Sequence, residues 1–216
     1  MKSSEFSESS AVGSKGNAAA PIQSRCSPVL TPLAYFLGRH LVVPAYFGPV
    51  TITGQQRVPT SGPVILAPTH RARWDSILLP YAVGRPTTGR DLRFMVTADE
   101  VRGLQGWFIR RLGGFAVNVR RPTVASLRYG IDLLLGLQVL PVDMFYGEAY
   151  PGWRCPVQIH IGEPLLVQSY LKGQDTPEVL KAGAQQLTRD LQTQLEAMVA
   201  NRQAIAAAAP SLPAQP

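Results

Sequence analysis

The sequence predicts an α/β domain with a mixed, largely parallel sheet flanked by helices. The first observation behind this prediction is that short apolar or β-branched runs alternate with helix-like stretches. The second is size and composition: 216 residues, of which 45% are hydrophobic and 16% charged, suffice for one domain with a substantial core. In such sheets functional residues gather at the carboxyl ends of strands, so polar residues there are the first candidates for a site.

Six strands and four helices are predicted along the central chain. The strands are expected at 50–53, 64–68, 92–97, 115–119, 139–145 and 156–161, where β-branched and apolar residues cluster. The helices are expected at 74–83, 104–112, 123–137 and 176–200, where apolar residues recur at helical spacing. His70 therefore falls at the carboxyl end of a strand, and Asp75 falls in the first turn of a helix.

The two ends of the chain differ in composition from its centre. Residues 1–25 are mostly small or polar and are predicted to be a disordered tail. Residues 203–216 are dominated by Ala and Pro and are predicted to be a second disordered tail, which leaves 26–202 as the folded domain. Within it, residues 26–47 are apolar and aromatic but contain three prolines. This segment predicts a short helix or helical hairpin that either packs in the core or faces a membrane interface.

Charge and cysteine content exclude several classes of protein. The net charge of +7 suits nucleic acid, an anionic membrane surface or phosphorylated substrates, and is also found in soluble basic proteins. Cys26 and Cys155 form neither a disulfide framework nor a zinc motif, so no metal is expected. The sequence contains neither a Gly-x-Ser-x-Gly elbow nor a Walker loop, so the site chemistries that depend on these motifs are not expected. It also lacks the aromatic–basic platform of RNA-binding modules, so nucleic acid is not an expected partner.

His70 and Asp75 are the candidate catalytic residues. A carboxylate that bonds one imidazole nitrogen fixes the tautomer and stabilises the imidazolium, and the other nitrogen is then free to take a proton. The alternative is that His70 is an ordinary loop histidine and that Asp75 is an acid at a helix N-terminus, where it favours the helix dipole.

Four blocks of the chain resemble the glycerolipid acyltransferases, the family of glycerophosphate and lysophosphatidate acyltransferases. Residues 62–76 (GPVILAPTHRARWDS) resemble its first signature, a His-x4-Asp motif, and residues 113–121 (GGFAVNVRR) resemble its glycine–hydrophobic–arginine block. Residues 139–142 resemble its late hydrophobic–proline block, and residues 157–167 its closing strand. The resemblance covers roughly residues 48–170.

This resemblance implies a reaction and a set of site residues. His70 would be the general base and Asp75 its orienting acid, while Arg120, or its neighbour Arg121, would hold the acceptor phosphate. Arg73 and Gly114 complete the predicted substrate-binding set. The protein would move a fatty acyl group from a thioester of coenzyme A or acyl carrier protein to a hydroxyl of a glycerol-phosphate lipid precursor. It would need no cofactor or metal, and would work on the cytoplasmic face of a membrane as a peripheral or monotopic protein.

One departure from the family pattern leaves two functional hypotheses open. The family's third signature, Phe-Pro-Glu-Gly-Thr, has no counterpart in this sequence. Tyr146-Gly147-Glu148-Ala149 could be considered as a substitute for that signature. However, this segment follows the proline block, and the family places its third signature before that block. The sequence therefore predicts either an acyltransferase with impaired activity or a non-catalytic membrane-associated protein on the same scaffold.

Overall fold

The computed structural model of the protein describes residues 26–117, 137–147, 150–171 and 177–208. Its strands are β1 Val50–Thr53, β2 Val64–Pro68, β3 Phe94–Thr97, β4 Gly114–Val117, β5 Gln138–Phe145, β6 Val157–Ile161 and β7 Leu165–Leu166. Its α-helices are α1 Leu30–Leu37, α2 Val43–Tyr46, α3 Asp75–Val83, α4 Arg85–Thr88, α5 Gly103–Arg111 and α6 Pro177–Ala208.

The strands form one large mixed sheet and one small parallel sheet. The large sheet has the order β1-β6-β5-β2, with β7 pairing beside β5. β1 pairs with β6 and β2 with β5 in parallel, whereas β5 is antiparallel to both β6 and β7. The small sheet is the parallel pair β3 and β4. The predicted α/β class with a mixed, largely parallel sheet flanked by helices is confirmed.

The core is organised around β5, which is buried on both faces. Its even-numbered residues Leu140, Val142 and Met144 pack in the main cluster with α3, α2 and β6. The odd-numbered Val139 packs on the opposite face with Leu165 and with residues of α6. Because successive side chains of a strand point to opposite faces, residues after Met144 in the even series are directed toward α3, and odd ones toward α6.

The apolar segment near the start of the domain is helical, as predicted. A π-helical turn, Gly38–Val42, joins α1 to α2, and Val43 and Phe47 are buried in the main core. Large apolar side chains elsewhere on this segment are exposed: Val29, Leu33, Phe36, Leu37 and Leu41. In the part of the chain that the structure describes, no helix has the length and hydropathy needed to cross a membrane. The membrane-facing role of 26–47 stays a prediction.

The C-terminal helix requires a correction to the predicted boundary at residue 203. α6 continues without interruption to Ala208, so 203–208 are helical rather than part of a tail. Two physical reasons favour this end: alanine has the highest helix propensity, and Arg202 in the last two turns is anchored to the sheet by an ion pair. The predictions for 1–25, 118–119, 123–136 and 209–216 lie outside the described residues.

Candidate active site

The turn from β2 to α3 is fastened to β5 by Thr69. Its backbone N–H donates to the carbonyl of Val142 at 2.9 Å, which extends the β2–β5 pairing by one residue. Its hydroxyl accepts a hydrogen bond from the backbone N–H of Met144 at 2.9 Å and donates to Asp143 Oδ1 at 3.3 Å. His70 follows directly, so its position relative to the sheet is fixed by these bonds.

His70 and Asp75 lie in direct contact. Nδ1 of His70 is 2.6 Å from Oδ2 of Asp75. The two partners differ sharply in environment, because the imidazole is 72% exposed and the carboxylate only 2%. Asp75 is the first residue of α3, where the helix dipole favours a negative charge. The sequence therefore places a buried acid behind an accessible base.

Four donors satisfy the buried carboxylate of Asp75. Besides His70, the backbone N–H groups of Arg71 and Ala72 donate to Oδ2 at 2.8 and 3.2 Å. The hydroxyl of Tyr146 donates to the other oxygen, Oδ1. A buried charge is expensive unless it is fully hydrogen-bonded, so these donors are what allow a carboxylate to remain at this position.

Tyr146 is the site residue that sequence reasoning missed. It is completely buried, and it follows β5 in the even-numbered series that faces α3. Burial and the hydrogen bond to Asp75 raise the pKa of the Tyr146 phenol, so it stays protonated and donates. The even spacing from Leu140, Val142 and Met144 predicts an inward side chain. What the sequence does not reveal is that β5 pairs in parallel with β2 and so ends beside Asp75.

The geometry makes His70 competent as a general base. Asp75 accepts from Nδ1, so the neutral ring bears its proton there and its lone pair on Nε2. The exposed ring leaves room for an incoming hydroxyl group. When Nε2 takes a proton, the imidazolium that forms is stabilised by the carboxylate behind it.

The other predicted binding residues have differing surroundings. Arg73 is exposed and bonds Glu100 through Nη2 and Oε1 at 2.8 Å. Gly114 begins β4, and a Cβ at this position would overlap the side chain and carbonyl of Ile109 on α5, which gives the glycine a packing role. Arg120 and Arg121 lie outside the described residues.

A second buried aspartate, Asp143, lies on the face of β5 opposite to Tyr146. Its side chain is 1% exposed, and Arg202 of α6 bonds Oδ2 through Nε at 2.7 Å. The guanidinium also lies 4.0 Å from the ring centroid of Phe145. Since Thr69 bonds the other oxygen of Asp143, this ion pair supports the turn that precedes His70.

No group of three or more potential ligands that could hold a metal ion occurs within the ranges the structure describes. Cys26 and Cys155 are both free thiols.

Comparison with known proteins gives a family match and a similar solved structure. The model of the Acyltransferase family matches residues 49–136. The crystal structure of the 1-acyl-sn-glycerophosphate (LPA) acyltransferase PlsC from Thermotoga maritima is similar over 76% of this chain and 79% of its own, at 20% sequence identity and a TM-score of 0.47. The comparison with curated protein sequences gives no match.

Proposed function

Since the Acyltransferase family model matches residues 49–136, we propose that the protein acylates a glycerol-phosphate lipid precursor. The donor is a fatty acyl thioester of coenzyme A or acyl carrier protein, and the acceptor is a hydroxyl group of the lipid precursor. The observation that carries this proposal is the contact between the exposed His70 and the buried Asp75 at the carboxyl end of β2.

His70 serves as the base in this reaction. Nε2 removes the proton from the acceptor hydroxyl while the oxygen attacks the thioester carbonyl. The tetrahedral intermediate then collapses, the carbon–sulfur bond breaks, and the imidazolium returns its proton to the departing thiolate. Asp75 stabilises the imidazolium between these two steps, because its carboxylate faces Nδ1 at 2.6 Å. The acyl group passes directly between substrates, so neither an acyl-enzyme nor a cofactor or metal takes part.

Basic residues hold the acceptor phosphate in this proposal. Arg120, or its neighbour Arg121, pairs with the phosphate, and Arg73 beside His70 adds a second cation. Arg73 already has an exposed partner in Glu100, so the phosphate replaces that carboxylate when it binds. Gly114 acts indirectly, by allowing β4 to lie close to α5 at the start of the strand that leads to these arginines.

The lipid substrate places the protein at the cytoplasmic face of a membrane, as a peripheral or monotopic protein. The exposed apolar side chains of α1 and of the π-helical turn support this proposal, because an interfacial helix buries such residues among lipid chains. The net charge of +7 adds attraction to an anionic surface.

A direct acyl-transfer assay tests the proposal. Purified protein is given an acyl thioester of coenzyme A or of acyl carrier protein with glycerol 3-phosphate or its monoacyl form, and the products are measured by mass spectrometry. We expect His70→Ala to lower turnover by about a thousandfold or more. His160→Ala is the matched control, since His160 lies on β6, which β5 separates from β2 in the sheet. Equal product from the His70→Ala variant and the unaltered protein would remove His70 from the mechanism.

The second candidate is a non-catalytic membrane-associated protein on the same scaffold. The observation that favours it is that Pro-Glu-Gly, the centre of the family's third signature, occurs nowhere in the sequence. This candidate predicts binding to liposomes with no turnover of any of the four donor–acceptor combinations. His70-dependent turnover of one combination would exclude it.

A further inference from the structure

Tyr146 is completely buried, and its hydroxyl donates a hydrogen bond to Asp75. We propose that Tyr146 is a positioning residue, whose hydroxyl fixes the plane of the Asp75 carboxylate and thereby the tautomer and direction of the His70 ring. The inference rests on the proposed function, because it concerns the group that would act as base there.

The carboxylate of Asp75 is held from both of its oxygens. Oδ2 receives the backbone N–H groups of Arg71 and Ala72 as well as His70, while Oδ1, the oxygen that His70 does not contact, receives the Tyr146 hydroxyl. The last torsion of an aspartate side chain has only a broad intrinsic preference, so its hydrogen-bond donors decide the orientation of the plane. The Tyr146 hydroxyl, the donor on Oδ1, therefore fixes the angle of the plane together with the backbone donors on Oδ2.

The exposed ring of His70 depends on this arrangement more than a buried histidine would. Because 72% of the side chain is exposed, few packing contacts restrain it, and the bond to Asp75 is its main restraint. A rotated carboxylate would weaken the Nδ1 bond and allow the other tautomer, whose Nε2 bears a proton and cannot act as a base.

The pairing of β5 with β2 places the Tyr146 hydroxyl beside Asp75. β5 runs parallel to β2, so the two strands end at the same edge of the sheet, one with Tyr146 and the other with the His70 turn. Gly147 follows with a φ of 79°, a left-handed conformation that turns the chain away directly after the tyrosine. Phe47, whose ring centroid lies 6.1 Å from that of Tyr146, and the surrounding core restrict the phenol ring.

The removal of this one hydroxyl, Tyr146→Phe, tests the inference. We expect kcat to fall by about ten- to a hundredfold, the range for a lost hydrogen bond to a charged group, with the KM for the acyl thioester changed less than about twofold. The matched control is Tyr170→Phe, which also removes a tyrosine–aspartate hydrogen bond, of 2.8 Å to Asp190, but on the α6 side of the sheet. This control should keep the kcat of the unaltered protein.

A spectroscopic measurement separates positioning from general stability. Side-chain nitrogen-15 spectra of His70 in the unaltered protein and the Tyr170→Phe variant should show the neutral ring with its proton on Nδ1. In Tyr146→Phe we expect a mixture of both tautomers. In an Asp75→Asn background, Tyr146→Phe should change kcat no further, because the two residues act through one carboxylate.

These results distinguish the inference from the function on which it rests. A folded Tyr146→Phe variant with the tautomer of the unaltered protein overturns the positioning role, whether or not the protein turns over substrate. A tautomer that changes in Tyr146→Phe, in a protein without any acyl transfer, supports the positioning role and contradicts the proposed function.

A second measurement applies if Tyr146→Phe does not fold. Protein labelled with 3-fluorotyrosine keeps all seven tyrosine hydroxyls. One fluorine resonance should differ between the unaltered protein and His70→Gln, because the phenol bonds the same carboxylate as His70. If no fluorine resonance changed in His70→Gln, the inference would be overturned.

Discussion

Two buried aspartates, Asp75 and Asp143, lie on opposite faces of the same part of the sheet and have partners of opposite character. Asp75 faces an exposed histidine that can gain and lose a proton, and Asp143 faces an arginine that is only 13% exposed and always charged. Both carboxylates accept hydrogen bonds from more than one donor, and Thr69, which bonds Asp143, directly precedes His70 in the chain. The difference shows that burial of an acid does not by itself mark catalysis, since the partner's exposure and ability to titrate decide what the pair can do.

Replacement of Asp143, whose partner Arg202 is also largely buried, should produce the largest loss of stability. Asp143→Asn leaves Arg202 without a counter-charge in a setting where removal of one partner costs about 3 kcal/mol of unfolding free energy. Urea unfolding measures this loss. We expect turnover per folded molecule to stay within about tenfold of the unaltered protein, because the His70–Asp75 contact is retained.

The double variant Asp143→Asn with Arg202→Met is the control for this comparison. It removes both charges, so much of the lost stability should return. Asp75→Asn should behave in the opposite way, with a larger effect on turnover than on stability. If Asp143→Asn lowered turnover as much as Asp75→Asn, the distinction between the two aspartates would fail.

Alkaline pH should weaken the hydrogen bond between Tyr146 and Asp75 and leave the ion pair between Asp143 and Arg202 intact. The pKa of Tyr146 is raised above its ordinary value of 10, so the phenol proton is favoured in the native state. Its contribution to stability is fully present below pH 10 and is lost as the pH rises further, because the unfolded chain gives up this proton first. The expected slope is about 1.4 kcal/mol per pH unit for one proton.

The variants Tyr146→Phe and Asp143→Asn test whether Tyr146 causes this loss of stability at alkaline pH. Unfolding free energies measured between about pH 8 and 11 should fall less steeply in Tyr146→Phe. Some slope should remain, because burial also raises the pKa values of Tyr35 and Tyr170. Asp143→Asn should shift the whole curve downward and leave its slope unchanged, since arginine does not titrate in this range. A Tyr146→Phe curve parallel to that of the unaltered protein would contradict the prediction.

The smallest effect on stability is expected at the exposed ion pair beside His70. Arg73→Ala breaks the contact with Glu100 and should change the unfolding free energy by less than about 1 kcal/mol. If Arg73 binds the acceptor phosphate, the KM for that acceptor should rise by about tenfold. Arg102→Ala is the control, because it breaks a comparable exposed pair with Asp99. Equal KM values for the two variants would remove Arg73 from the binding set.

The elements with a local signal could be predicted from the sequence. β1 and β2 begin and end as predicted, and β5, β6, α3 and α5 lie within one residue of the predicted bounds. Runs of β-branched residues and helical spacing specify these elements without knowledge of the rest of the chain. No local pattern predicts the two-residue β7 or the four-residue α4, because segments so short show no periodicity.

Only the site contacts between residues close together in the sequence could be predicted. His70 and Asp75 are five residues apart, so their spacing and the predicted turn are enough to suggest the contact. Tyr146 and Asp75 are 71 residues apart, and Arg202 and Asp143 are 59 apart. Such contacts depend on which strands pair and in which direction, and this information is spread over the whole sheet.

The pairing of β2 with β5 also sets the order in which this site assembles. The bond between Thr69 and Asp143 closes a loop of 74 residues, at an entropic cost of roughly 4 kcal/mol, whereas the His70 turn closes almost at once. At about 5–20 residues per second, a ribosome needs roughly 4–14 s to pass from Asp75 to Tyr146. During that interval the Asp75 carboxylate is open to water and the histidine has no buried partner. The hydrogen-bonded set of His70, Asp75 and Tyr146 is therefore complete only after the ribosome has passed Tyr146.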